Sequence, residues 1–203
     1  GSYGSLMQSV WQLAKTQPVL QIASFRGAMG FGAMSAVFTT LVFHMEGDPF
    51  HAGSSVVGGF GLIGAVGALA AAFVGRLAQR FTRYQLIYYS LLTLLLSWVF
   101  IYFGGYTYWG LIIGIILIDL GLQSSHIMNQ SDFFALPTNA TNRLNTVYMV
   151  SCFIGGSLGT YLGALGWQYA GWTGVCVVGT IFSALAFGAH VLLGRGRFIF
   201  EKK

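Results

Sequence analysis

Residues 144–194, LNTVYMVSCFIGGSLGTYLGALGWQYAGWTGVCVVGTIFSALAFGAHVLLG, contain no Asp, Glu, Lys or Arg over 51 positions. As one straight helix this stretch would run about 76 Å at about 1.5 Å per residue, against a hydrocarbon core of roughly 30 Å. It is predicted to cross a bilayer twice, turning near Trp167-Gln168-Tyr169-Ala170-Gly171. Residues 84–118 repeat the pattern, with 35 uncharged positions broken at Gly104-Gly105-Tyr106. The pattern predicts an all-α, polytopic membrane protein.

Composition agrees with this. Hydrophobic residues make up 55% of the chain and charged residues 7%, with a mean hydropathy of +0.70. A soluble domain carries about 25% charged residues. The 29 glycines suit a helical bundle in lipid, where small residues let backbones approach closely. A pI near 9.4 would point to nucleic acid in a soluble protein. Here membrane orientation accounts for it, and no nucleic-acid partner is expected. Cys152 and Cys176 fall in apolar segments and are expected as buried free thiols. Gly1-Ser2 reads as a cloning remnant, and no cleavable signal peptide follows it.

Six transmembrane helices are predicted, at about 19–44, 53–79, 85–104, 107–134, 142–166 and 171–194. They form one bundle over 19–203, preceded by an interfacial or linker segment over 1–18. In that segment Leu6, Val10, Trp11 and Leu13 give Ser5 to Thr16 an amphipathic pattern. Pro18 then ends this helix and begins the first span.

Basic residues divide by side. Lys15, Arg76, Arg80, Arg83, Arg143, Arg195, Arg197, Lys202 and Lys203 fall on one side, and Arg26 lies inside span 1. The longest loop of the other side carries Glu46 and Asp48. The positive-inside rule then puts both termini in the cytoplasm, which requires an even number of spans. Tyr102, Tyr106, Tyr108, Trp109, Trp167, Tyr169 and Trp172 collect at the outer interface and are expected as an aromatic belt.

Charges inside the membrane are costly and mark candidate sites. Asp119 lies midway along span 4, followed at helical spacing by Gln123, His126 and Gln130. At 100° per residue the four share an arc of about 60°. This polar stripe should face a cavity or the bundle interior. Asp119 is then a substrate or proton site and His126 a relay, unless the stripe is a structural network. Arg26 either pairs with Asp119, meets an anionic group, or snorkels to the interface. Asp132 and Arg143 flank a short loop and are expected to form a surface ion pair of at most about 1 kcal/mol. His44, Glu46, Asp48 and His51 cluster in the outer loop, but no helical register sets their spacing, and no metal site is expected.

Glycines supply packing faces. Gly58, Gly61, Gly64 and Gly67 recur every three residues in span 2, and Gly155, Gly159 and Gly163 every four in span 5. The Asn129 and Asn139 sequons lie on or near the cytoplasmic side and are discounted. No nucleophile stands beside a base in a recognisable motif, so the chain is not expected to be an enzyme, and no cofactor is expected.

The stretch Gly75-Arg76-Leu77-Ala78-Gln79-Arg80-Phe81-Thr82-Arg83 resembles the loop signature Gly-x-x-x-Asp-Arg-x-Gly-Arg of the major facilitator superfamily, with Gln79 in place of Asp and Thr82 in place of Gly. Asn142-Arg143-Leu144-Asn145-Thr146-Val147-Tyr148-Met149, followed by Gly155-Gly156-Ser157-Leu158-Gly159, resembles helix 11 of its bacterial drug and sugar efflux permeases. The resemblance covers nearly the whole chain and implies the C-terminal six-helix half of such a transporter, built from 3+3 inverted repeats. It implies that spans 1 and 4 line the cavity, with Asn145 on the same pathway, and that Gly75, Arg76, Gln79, Arg80 and Arg83 form a cytoplasmic gate loop. The function implied is secondary active efflux of a small organic solute across the bacterial inner membrane. The implied partners are the lipid bilayer and a missing N-terminal half, or a second copy of this chain. A non-transporting membrane scaffold is the alternative from another class.

Overall fold

A computed structural model describes residues 2–194, Ala78 by its backbone alone. The helices are α1 (Tyr3–Thr16), α2 (Pro18–Glu46), α3 (Ser54–Ala71), α4 (Arg83–Phe103), α5 (Tyr108–Phe134) and α6 (Thr141–Ala189). A 3-10 segment (Val74–Gln79) follows α3, and a π turn (His190–Gly194) follows α6. Arg195, Arg197, Lys202 and Lys203, expected on the cytoplasmic side, lie outside the described residues.

Local chemistry explains the helix ends. Pro18 takes the first position of α2, where its missing N–H costs nothing. Thr82 and Gln85 form a reciprocal capping box that starts α4. Thr107 accepts from the Gly110 N–H at 3.1 Å and caps α5. The second expected span is shorter than its apolar run: the α-helix ends at Ala71 and tightens into the 3-10 segment.

Among the described residues, five helices are long and apolar enough to cross a membrane: Pro18–Glu46, Ser54–Leu77, Arg83–Phe103, Tyr108–Phe134 and Thr141–Gly194. The last is where expectation and structure differ. The turn is expected over residues 167–171; residues 167–170 stay helical, and Gly171 alone breaks the geometry at φ 62°, ψ −142°. That backbone is open to glycine and strained for other residues.

The chain reverses at this point. A Cβ on Gly32 would lie 2.6 Å from the Phe182 ring and 3.1 Å from the Gly155 carbonyl oxygen. A straight helix would hold residues 155 and 182 roughly 40 Å apart. Gly166 and Gly174 are also in backbone contact. We therefore describe α6 as a first arm (141–170) and a second arm (172–189).

Ala28, Gly32 and Ala36 of α2 meet Gly155, Gly159 and Gly163 of the first arm in rising order, so the two run parallel. The second arm runs antiparallel to α4: Trp172 donates to the Ile101 carbonyl at 2.9 Å, and the Trp98 ring covers Gly179. One apolar core gathers Leu41, Leu94, Trp98, Ile115, Val175 and Phe182. A second, toward the basic end, gathers Leu20, Ala23, Phe133, Leu144, Tyr148 and Cys152. Both cysteines are buried and free. α1 buries no residue, and α3 is the least buried of the five spans.

Candidate functional site

Asp119 lies on α5 and is 7% exposed, with an Oδ2 that has no hydrogen-bond partner among the described residues. Its niche exists because α3 presents glycine there. A Cβ on Gly64 would stand 2.3 Å from Asp119 Oδ2, and one on Gly67 would stand 2.6 Å from the Ile116 carbonyl. Gly58 and Gly61 differ from the expected packing face, since nothing lies within 4 Å of their missing side chains. Three-residue steps rotate by about −60° each, so Gly58 and Gly67 point to opposite sides of α3.

Below Asp119 the stripe continues with Gln123, half-buried, and then turns polar atoms toward the first arm of α6. His126 Nδ1 and the Tyr148 hydroxyl share a hydrogen bond at 2.8 Å, and Phe31 meets the imidazole edge-on at 5.5 Å. Gln130 donates to Asn145 Oδ1 at 3.0 Å.

Arg26 does not pair with Asp119. It is 2% exposed and donates to Asn129 Oδ1 at 2.8 Å and to Asp132 Oδ2 at 2.8 Å, with His190 Nδ1 at 3.0 Å. Asp132 therefore belongs to this cluster and not to Arg143, contrary to the expected loop pair. Arg143 instead donates to the Ser9 hydroxyl of α1. Arg83 adds a second cation at 3.7 Å from Asp132 and donates to the Ser131 carbonyl at 2.7 Å. Of the gate-loop residues, Arg83 alone is placed in this cluster by those bonds. Gly75, Arg76, Gln79 and Arg80 are exposed, and Arg76 lies over the Phe73 ring.

Asn129 joins the two groups, since its Nδ2 donates to the Tyr148 hydroxyl at 3.2 Å. A hydrogen-bonded chain thus runs His126–Tyr148–Asn129–Arg26–Asp132. A buried charged network is stable only when each member is satisfied. Tyr148, Asn129 and His190 were not singled out as site residues. For Asn129, the available signal was a polar side chain one turn before Asp132 on the same helix.

At the opposite end His44 is 3% exposed and stacks on Trp172, with ring centroids 3.8 Å apart and an 11° interplanar angle. Phe50, Tyr106 and Trp167 surround it edge-on, and it is hydrogen-bonded to the Gly105 carbonyl. Trp172 is accordingly buried, unlike a lipid-facing belt residue, whereas Trp109 and Tyr169 are exposed. Among the described residues no three His, Cys, Asp or Glu side chains gather to hold a metal, and His51 pairs with Asp48 apart from His44.

No family profile matches the chain. It is 38% identical over 178 residues to the putative uncharacterized transporter YgaY of Escherichia coli (strain K12), and equally to uncharacterized transporter YgaY of Escherichia coli O157:H7. It is 30% identical over 178 residues to probable transporter SCO4007 of Streptomyces coelicolor. These matches take up 88% and 87% of this chain but only 45% and 41% of the relatives' lengths. The chain is a helical membrane protein, similar to part of longer proteins that are named as transporters.

Proposed function

We propose that this chain is one half of a secondary active transporter of the major facilitator type. It moves a small organic solute by alternating access, as a proton-coupled exporter of the bacterial inner membrane. On this reading the two arms of α6 each cross the bilayer, giving six crossings with both termini in the cytoplasm. The missing half completes the cavity, as the relatives' greater length suggests. The Asp119–Gln123–His126–Gln130 stripe, with Asn145, lines the solute and proton pathway. His126, Tyr148, Asn129 and Arg26 link that pathway to the Arg83 end of the protein.

Asp119 carries the proposal. Burying a carboxylate oxygen without a partner costs several kcal/mol, and a functional role is a reason to retain the residue despite that cost. The test is Asp119→Asn in the full-length protein in everted vesicles, screening small organic solutes for those that dissipate a pH gradient. Asn keeps the shape and removes the titrating group. Solute-driven proton movement lost with unchanged thermal stability supports the proposal; unchanged proton movement refutes the role of Asp119. The mass of this chain in lipid nanodiscs separates an isolated half, which is monomeric, from a homodimeric transporter.

A further inference from the structure

We propose that the crevice between α1, α2 and the first arm of α6 holds one anionic phospholipid. Its phosphate sits between Lys15 and Arg143, and an acyl chain lies along Phe25, Val147 and Ile154. The crevice has a volume of about 340 Å³, and Gln21, Ser24 and Ser151 supply its polar side chains.

The basic mouth is positioned by the fold. Gln21 lines the crevice and donates to the carbonyls of Ala14 and Lys15, both at 2.9 Å, which fixes the end of α1 at the opening. Arg143 precedes the wall residue Val147 by one turn and is anchored to α1 through Ser9. The two cations therefore belong to two of the three elements that form the crevice.

Charge selects the occupant. Residues 2–45 and 141–194, which supply every wall, contain no Asp or Glu. Arg26 lies in the same region, but Asp132 of α5 pairs with it. Lys15 and Arg143 thus sit on segments that carry no carboxylate among the described residues, and an anionic headgroup supplies the missing charge. Ser24 is 7% exposed, and its hydroxyl has no partner among the described residues, leaving a donor for a lipid ester carbonyl. α1 presents Leu6, Met7 and Trp11 to the surroundings, with the Lys15 ammonium 5.4 Å from the Trp11 ring centroid. That pairing of an aromatic with a cation suits the headgroup layer.

The experiment is native mass spectrometry of the protein released from nanodiscs of equimolar phosphatidylglycerol and phosphatidylcholine with matched chains. Each basic side chain near an anionic lipid contributes roughly fivefold, so roughly 25-fold enrichment of one retained phosphatidylglycerol is expected. Lys15→Gln with Arg143→Gln should bring the ratio near unity. Lys15→Gln alone, at an exposed position that does not threaten folding, should lower it roughly fivefold. Val147→Trp should displace the retained lipid altogether. No enrichment in the parent, or enrichment that survives the double substitution, overturns the proposal.

Discussion

The parallel contact between α2 and the first arm of α6 predicts a graded response to adding one methyl group. On Gly155 a Cβ would sit 2.0 Å from the Ala28 carbonyl oxygen, and on Gly159 2.1 Å from that of Gly32. Ordinary contact begins at 3.4 Å, so the backbones must part by more than 1 Å, with no side chain able to rotate aside. On Gly163 the nearest atom is Ala36 Cα at 2.8 Å, and on Gly156 it is the Ser35 hydroxyl at 3.2 Å, which can move. Gly58 meets nothing within 4 Å. Overpacking costs about 1–3 kcal/mol, and Gly→Ala in a helix returns up to about 1 kcal/mol. Gly155→Ala and Gly159→Ala should therefore lose about 2 kcal/mol, and Gly163→Ala about 0–1 kcal/mol. Gly156→Ala should be near neutral, and Gly58→Ala should gain up to about 1 kcal/mol. The assay is thermal unfolding in detergent, followed by a fluorogenic maleimide that reacts as the buried thiols of Cys152 and Cys176 are exposed. The reasoning is refuted if Gly155→Ala melts with the parent, or if Gly58→Ala falls below Gly163→Ala.

Three further substitutions probe other features with the same unfolding assay. Arg26→Leu and Asp132→Leu should be non-additive, with a coupling of about 1–3 kcal/mol, since each removes the other's partner at 2.8 Å; additive losses would mean that the pair is not formed. Gly171→Ala should cost about 1–3 kcal/mol through backbone strain at φ 62°, because nothing lies within 4 Å to clash with the methyl group; a neutral effect would show that the reversal adopts another backbone.

The helices were legible because lipid physics writes them into composition. Charge-free runs longer than one bilayer crossing, and Pro18 at a junction, locate elements without any knowledge of their neighbours. Pairing was less legible. Asp132 and Arg143 are close in sequence, so a loop pair was the natural expectation, yet Asp132 faces Arg26 from a helix more than a hundred residues earlier. Which helices adjoin is decided by packing, and packing of this kind leaves no periodic trace. Asp119 was visible as a midspan carboxylate, whereas its niche depends on Gly64 and Gly67 of another helix. His44 looked like a loop polar group because Glu46 and Asp48 follow it closely. Its aromatic neighbours come from three other segments, around Phe50, Tyr106 and Trp167 to Trp172.

The reversal at Gly171 also bears on how the chain is made. A hairpin normally offers the insertion machinery a polar loop that marks where one segment stops and the next begins. Here the two arms are joined by a single glycine flanked by Tyr169, Ala170 and Trp172, within 51 residues that carry no charge. If both arms cross the bilayer, as proposed, no charged residue lies between them to hold the joint in water, and the pair is suited to enter as one hairpin. The backbone contact of Gly166 with Gly174 spans eight residues and needs no other helix to form.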